Sequence, residues 1–100
     1  MNAETLAALL AAVKTSLNVT WDDEDERYRE YIREGVAYLD KKRGAPGDYT
    51  VPGYPRSLLF DYVRYARDGA ADVFESNYRA GILAMQHERR VRDYAAQEAL

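Results

Sequence analysis

All three prolines of the chain, Pro46, Pro52 and Pro55, fall within residues 44–56, together with three of the six glycines. Proline lacks a backbone donor and clashes with the preceding helical turn, so this stretch interrupts any helix that reaches it. Pro46-Gly47 and Pro52-Gly53 read as turns, with Asp48–Val51 extended between them. The sequence on either side carries helical periodicity, so the chain is predicted to be all-α: a small three-to-four-helix domain with a long Pro/Gly loop between helices 2 and 3. One hundred residues allow a single domain, 1–100, with its core over about 3–87 and a C-terminal arm over 88–100.

Leu6, Leu9, Leu10, Val13 and Leu17 repeat on one helical face, with Asn2 as N-cap, which places helix 1 at about 3–17. Helix 2 is expected over about 22–43. Thr20 or Asp22 would cap it, Asp23–Glu26 complement its dipole, and Lys41, Lys42 and Arg43 precede a terminal Gly44. Pro55 suits the first turn of helix 3, placed at 56–76 across Gly69, and Asn77 would cap a continuation through Tyr78, Ile82 and Met85. The predicted core is Leu6, Leu9, Leu10, Val13, Leu17, Ile32, Leu39, Leu59, Val63, Val73 and Phe74.

Composition closes several functional classes. There is no cysteine, which excludes disulfides, thiolate metal sites and a cysteine nucleophile, and His87 is the single histidine. The longest apolar run, Leu6–Val13, is far short of the about 20 residues a bilayer span needs. No basic residue precedes it, so the protein is expected to stay where it is made. The run Asp22–Glu26 lacks the glycine an EF-hand loop requires at its sixth position, where Arg27 stands. It reads as helix-start chemistry, or as a patch for a basic partner. The acids of the later helices have arginine neighbours, no nucleophile motif surrounds a serine, and no phosphate-cradling glycine loop occurs. No enzyme activity, metal or cofactor is expected.

What remains points to contacts. Nine tyrosines exceed what a small core can bury with satisfied hydroxyls, and surface tyrosine is typical of protein interfaces. Tyr49, Val51 and Tyr54 in the loop, predicted exposed over 45–55, are candidates for contacts with other subunits or a partner. Tyr65 lies at the edge of the buried stripe of helix 3, either as part of an interface face or as the rim of a wide core. Arg89, Arg90, Arg92 and Tyr94 in the arm are read as a docking element that adds little to subunit stability, with DNA phosphate contact by the arginines as the alternative.

Val13-Lys14, Leu17-Asn18-Val19, the acid-rich turn, and a helix with Ile32, Gly35 and Leu39 form a layout that continues in Leu58-Leu59-Phe60-Asp61-Tyr62-Val63-Arg64-Tyr65-Ala66-Arg67. Ala70, Phe74, Asn77-Tyr78, Ile82 and Met85 follow. Over about residues 6–87 the chain resembles the small all-helical head–tail connector proteins of long-tailed bacteriophages, also called head-completion or adaptor proteins. The 44–56 loop varies among such proteins, and residues 88–100 match no part of the pattern. The resemblance implies a structural virion protein in a ring, usually of twelve copies, beneath the portal. Such a ring extends the DNA channel and completes the head. Its implied partners are further copies of itself, the portal protein, and a downstream connector or tail protein. DNA passes through without specific binding, no membrane is involved, and assembly takes place in the host cytoplasm. The weakly acidic net charge of −3 agrees with a channel along which DNA slides. The competing reading is a small helical regulatory module that binds a protein or DNA.

Overall fold

In a computed structural model, which describes residues 1–98, the chain folds into α-helices joined by short turns and one longer connection. Helix α1 (Ala3–Ser16) starts at Asn2, whose side-chain oxygen accepts the Thr5 N–H at 2.7 Å. It ends on Asn18 in the left-handed region, φ 58°. The Val19 N–H reaches back to the Lys14 carbonyl at 2.8 Å, which turns Val19 into the core.

Helix α2 (Asp25–Arg43) begins three residues later than expected, and neither Thr20 nor Asp22 caps it. The Lys14 ammonium donates to Asp22 Oδ1 at 2.6 Å and to Asp25 Oδ1 at 2.7 Å. The acidic run is thus drawn onto α1, and the turn before α2 folds around that cation. Gly44, φ 85°, closes the far end.

Helix α3 (Tyr54–Arg67) carries Pro55 in its first turn. It stops well short of residue 76. Gly69 takes φ 72°, and the Ala70 N–H donates to the Tyr65 carbonyl at 2.8 Å, a left-handed cap that ends the helix. A single 3₁₀ turn (Ala71–Val73) and the four-residue helix α4 (Phe74–Asn77) follow, then α5 (Arg79–Glu98). Among the described residues five α-helices therefore stand where three to four were expected, because the predicted third helix is broken at Gly69. Asn77 does not cap α5. Its amide donates to the Tyr65 hydroxyl at 3.1 Å, and the Ile82 N–H bonds the Tyr78 carbonyl instead.

The core lies between α2 and α3, with α1 against one side and α5 against the other. Gly35 allows the close crossing of α2 on α3: a Cβ there would lie 2.7 Å from Leu59 Cδ1. Leu9, Leu10, Val13, Ile32, Leu39, Leu59, Val63 and Phe74 are buried as predicted, while Leu6 and Leu17 are half-buried at the rim. Val73 is a correction. The 3₁₀ turn rotates it outward to 42% exposure and turns Phe74 inward. Val19, Tyr28, Tyr49, Leu58, Ile82 and Met85 complete the core. No helix among the described residues is long and apolar enough to cross a membrane.

Candidate interaction surfaces

The 44–53 connection is not a free loop. Tyr49 was predicted exposed and is buried at 5%. Its hydroxyl donates to Asp40 Oδ1 at 2.7 Å, which also accepts the Gly47 N–H at 2.9 Å. Burial, then the neighbouring Asp40, pushes the Tyr49 phenol well above its ordinary value. Arg43 donates to the Pro46 carbonyl at 2.7 Å and Arg56 to the Tyr49 carbonyl at 3.0 Å. Two arginines and one carboxylate thereby satisfy backbone groups that a bare loop would leave to water. Val51 (49%) and Tyr54 (44%) remain exposed, Tyr54 as the first residue of α3.

Four of the nine tyrosines gather in one aromatic cluster around Phe74. Phe74 is fully buried, stacked on Tyr78 at 4.6 Å, with Tyr62, Tyr65 and Tyr38 edge-on at 5.3, 5.6 and 5.9 Å. The hydroxyls reach the rim. Tyr38 donates to Glu75 at 2.9 Å, and Tyr78 accepts from Arg64 at 2.8 Å. This is how a small domain accommodates so many phenols: ring inside, oxygen at the edge. Tyr65 is half-buried at the rim of that cluster, with part of its ring still accessible. Lys42 donates to Glu75 at 2.7 Å. That ammonium, with the Tyr38 hydroxyl, holds the Glu75 carboxyl below the usual range.

The C-terminal arm is helix as far as Glu98, continuous with α5; Ala99 and Leu100 lie outside the described residues. Its three arginines have different fates. Arg89 Nη1 donates to the Arg43 carbonyl at 3.1 Å, beside the Gln86 amide on the Lys42 carbonyl at 2.8 Å. Together they cap α2, where a cation also meets the negative end of the helix dipole. Arg89 therefore ties the arm to the body of the domain. Arg92 pairs with Glu88 at 3.6 Å and shares a cleft of about 70 Å³ with Val51. Arg90 and Tyr94 (64%) are exposed.

Sequence reasoning missed Leu83 and Val91, each 53% exposed. On a helical wheel Leu83, His87, Arg90, Val91 and Tyr94 fall in one sector, turned away from the buried Ile82 and Met85. That spacing was present in the sequence, but without the fold nothing marked which face of α5 was spare. A second apolar feature lies across the body. Two adjoining clefts of about 290 and 340 Å³ share Met1, Val36 and Asp40; the larger lies over the seam of α1 and α2, and the other lies between that seam and residues 46–50 of the connection. No protein-family model matches the chain, and no curated protein or solved structure gives a significant match.

Proposed function

We propose that this chain is a structural subunit of an oligomeric ring at the head–tail junction of a long-tailed bacteriophage, between portal and tail. There it would extend the DNA channel and serve as a platform for the next component. The observation that carries this reading is the shape and surface of α5. A helix about 30 Å long packs its first half on α2 and α3 and continues as a fully exposed stretch over residues 90–98, in a molecule of 50 × 31 × 18 Å overall extent, with an uncovered apolar stripe and the exposed Arg90 along it. Its role is mechanical: subunit flanks pack on one another, and exposed residues such as Val51, Tyr54 and Tyr94 meet neighbours or the adjoining ring. The fate of the arginines favours docking over DNA binding. Of the three, Arg89 caps α2 and pairs with Asp93 and Arg92 pairs with Glu88, leaving Arg90 as the one without a carboxylate partner among the described residues.

Negative-stain microscopy of the concentrated full chain, with and without a portal protein, tests the proposal. Rings, or ordered decoration of the portal, are the expected result. A protein that remains monomeric or dimeric under both conditions refutes it. In a parallel titration, DNA affinity that falls with a log–log salt slope near −0.9 per phosphate would favour the nucleic-acid role of the arm instead.

A further inference from the structure

The connection between α2 and α3 is built as a hinged strap. Its two ends are glycines in the left-handed region, Gly44 at φ 85° and Gly53 at φ 149°, where the backbone swings at low steric cost. Between them the chain is stiff. Pro46 and Pro52 each fix a backbone angle just inside a hinge. Asp48 accepts the Thr50 N–H at 2.9 Å, which folds the middle into a turn of its own.

The attachment of this strap is narrow. Among the described residues no backbone-to-backbone hydrogen bond ties 45–52 to a helix. Of residues 45–53 only Tyr49 is buried. Its hydroxyl and the Gly47 N–H both donate to one oxygen, Asp40 Oδ1, at 2.7 and 2.9 Å. The other anchors are Arg43 on the Pro46 carbonyl and Arg56 on the Tyr49 carbonyl, so every one of them runs through a side chain of α2 or α3. We infer that residues 45–53 open as one unit about Gly44 and Gly53 while the helices stay folded, with the Asp40 carboxylate as the latch and the Tyr49 ring as the plug.

Segments open locally where they hold few buried contacts and few backbone bonds. The strap has one buried side chain, whereas Ile32, Leu39, Leu59 and Val63 of the helices it joins are all 0% exposed. The open form is a minor state, because Tyr49 must leave its seat. Residues 46–50 form one wall of the cleft of about 290 Å³ whose other side is Met1, Thr5, Leu9 and Val36. Lifting that wall joins the cleft to the seat of Tyr49, a slot with an apolar floor and the freed Asp40 carboxylate at its side. The strap is an intramolecular cover, and a foreign side chain reaches the slot only in the open form. This device does not depend on the ring proposed above.

Native-state amide exchange of the full chain, followed by nuclear magnetic resonance over a series of low urea concentrations, tests it. The Gly47 N–H reports the latch, and the N–H groups of the buried Ile32 and Val63 report global unfolding. Gly47 should be protected, yet exchange severalfold faster than those two after correction for intrinsic rates. Its rate should depend little on urea, because a local opening exposes little surface. Tyr49→Phe keeps the ring and the Gly47 bond and removes only the second donor. In a strap that moves as one unit this variant speeds Gly47 exchange severalfold, and Asp40→Asn, which neutralises the latch, does so at least as strongly. A Gly47 amide with the protection and urea slope of Ile32 and Val63 overturns the inference, since the connection then opens only with the whole domain. An unprotected Gly47 in the wild type refutes the latch, and an unchanged Gly47 rate in Tyr49→Phe refutes the single unit.

Discussion

Replacing Phe74 by alanine tests the packing that organises the second half of the chain. Phe74 sits on the four-residue α4 and is 0% exposed, with aromatic neighbours from α2 (Tyr38), α3 (Tyr62, Tyr65) and the start of α5 (Tyr78). Losing a buried phenylalanine costs about 3–5 kcal/mol, and the cost rises with how poorly the surroundings collapse. Collapse is restricted here. Tyr38 is held by Glu75, Tyr65 by Asn77 and Tyr78 by Arg64, so moving a ring into the void strains or breaks a hydroxyl bond. Phe74→Ala should therefore lie near the upper end, about 4 kcal/mol. With a urea m-value of about 2 kcal/mol/M, the midpoint falls by about 2 M. Phe74→Leu keeps much of the volume and should cost about 1–2 kcal/mol. Urea titration followed by far-ultraviolet circular dichroism measures both. A loss below about 1 kcal/mol for the alanine variant, or equal losses for both, refutes the claim that a rigid aromatic cluster holds α4.

Three further outcomes follow from the site geometry. Tyr49→Ala should destabilise by about 2–4 kcal/mol and Val51→Ser by less than about 0.5 kcal/mol, so a Gly/Ser replacement of residues 46–53 should unfold or severely weaken the domain, as thermal melts would show. Arg89→Ala should cost about 1–2 kcal/mol and speed amide exchange in the last turn of α2, whereas Arg90→Ala leaves stability unchanged. Glu75 has its folded pKa lowered, so its contribution is fully present above the ordinary value of 4.5 and is lost as pH falls through the folded value. The melting-temperature gap between wild type and Glu75→Gln should accordingly be widest at neutral pH and shrink on acidification below 4.5, and a constant gap would refute the Lys42–Glu75–Tyr38 assignment.

Helices α1 and α2 were legible from the residues alone because local forces agree there. Asn2 caps, the leucines of α1 repeat on one face, Ile32 and Leu39 share another, and Gly44 ends α2 with its cations in the last turn. All-α character followed from the same local agreement together with the confinement of proline to one stretch. Where the sequence reading failed, local and tertiary signals diverged. Gly69 sits inside a continuous apolar stripe, and periodicity cannot register a break of one residue in the left-handed region; the seat for Phe74 among four tyrosines decides in favour of the break. Val73 and Phe74 are adjacent apolar residues whose fates part only when a 3₁₀ turn sets the rotation. Tyr49 has no periodic neighbours, so its burial depends on Asp40, nine residues earlier, presenting a carboxylate to its hydroxyl. Arg89 and Arg90 are the same residue type in consecutive positions, yet about 100° of helix rotation aims one at the open carbonyls of α2 and the other at solvent. Helix type, the Asn2 cap and the Gly44 end are properties of short windows and were determined by the sequence itself, whereas Thr20, Asp22 and Asn77 cap no helix because tertiary contacts place the acidic run on Lys14 and Asn77 on Tyr65. Which face of α5 is spare, and which arginine is free, depends on where a distant helix ends, and only the tertiary structure decides that.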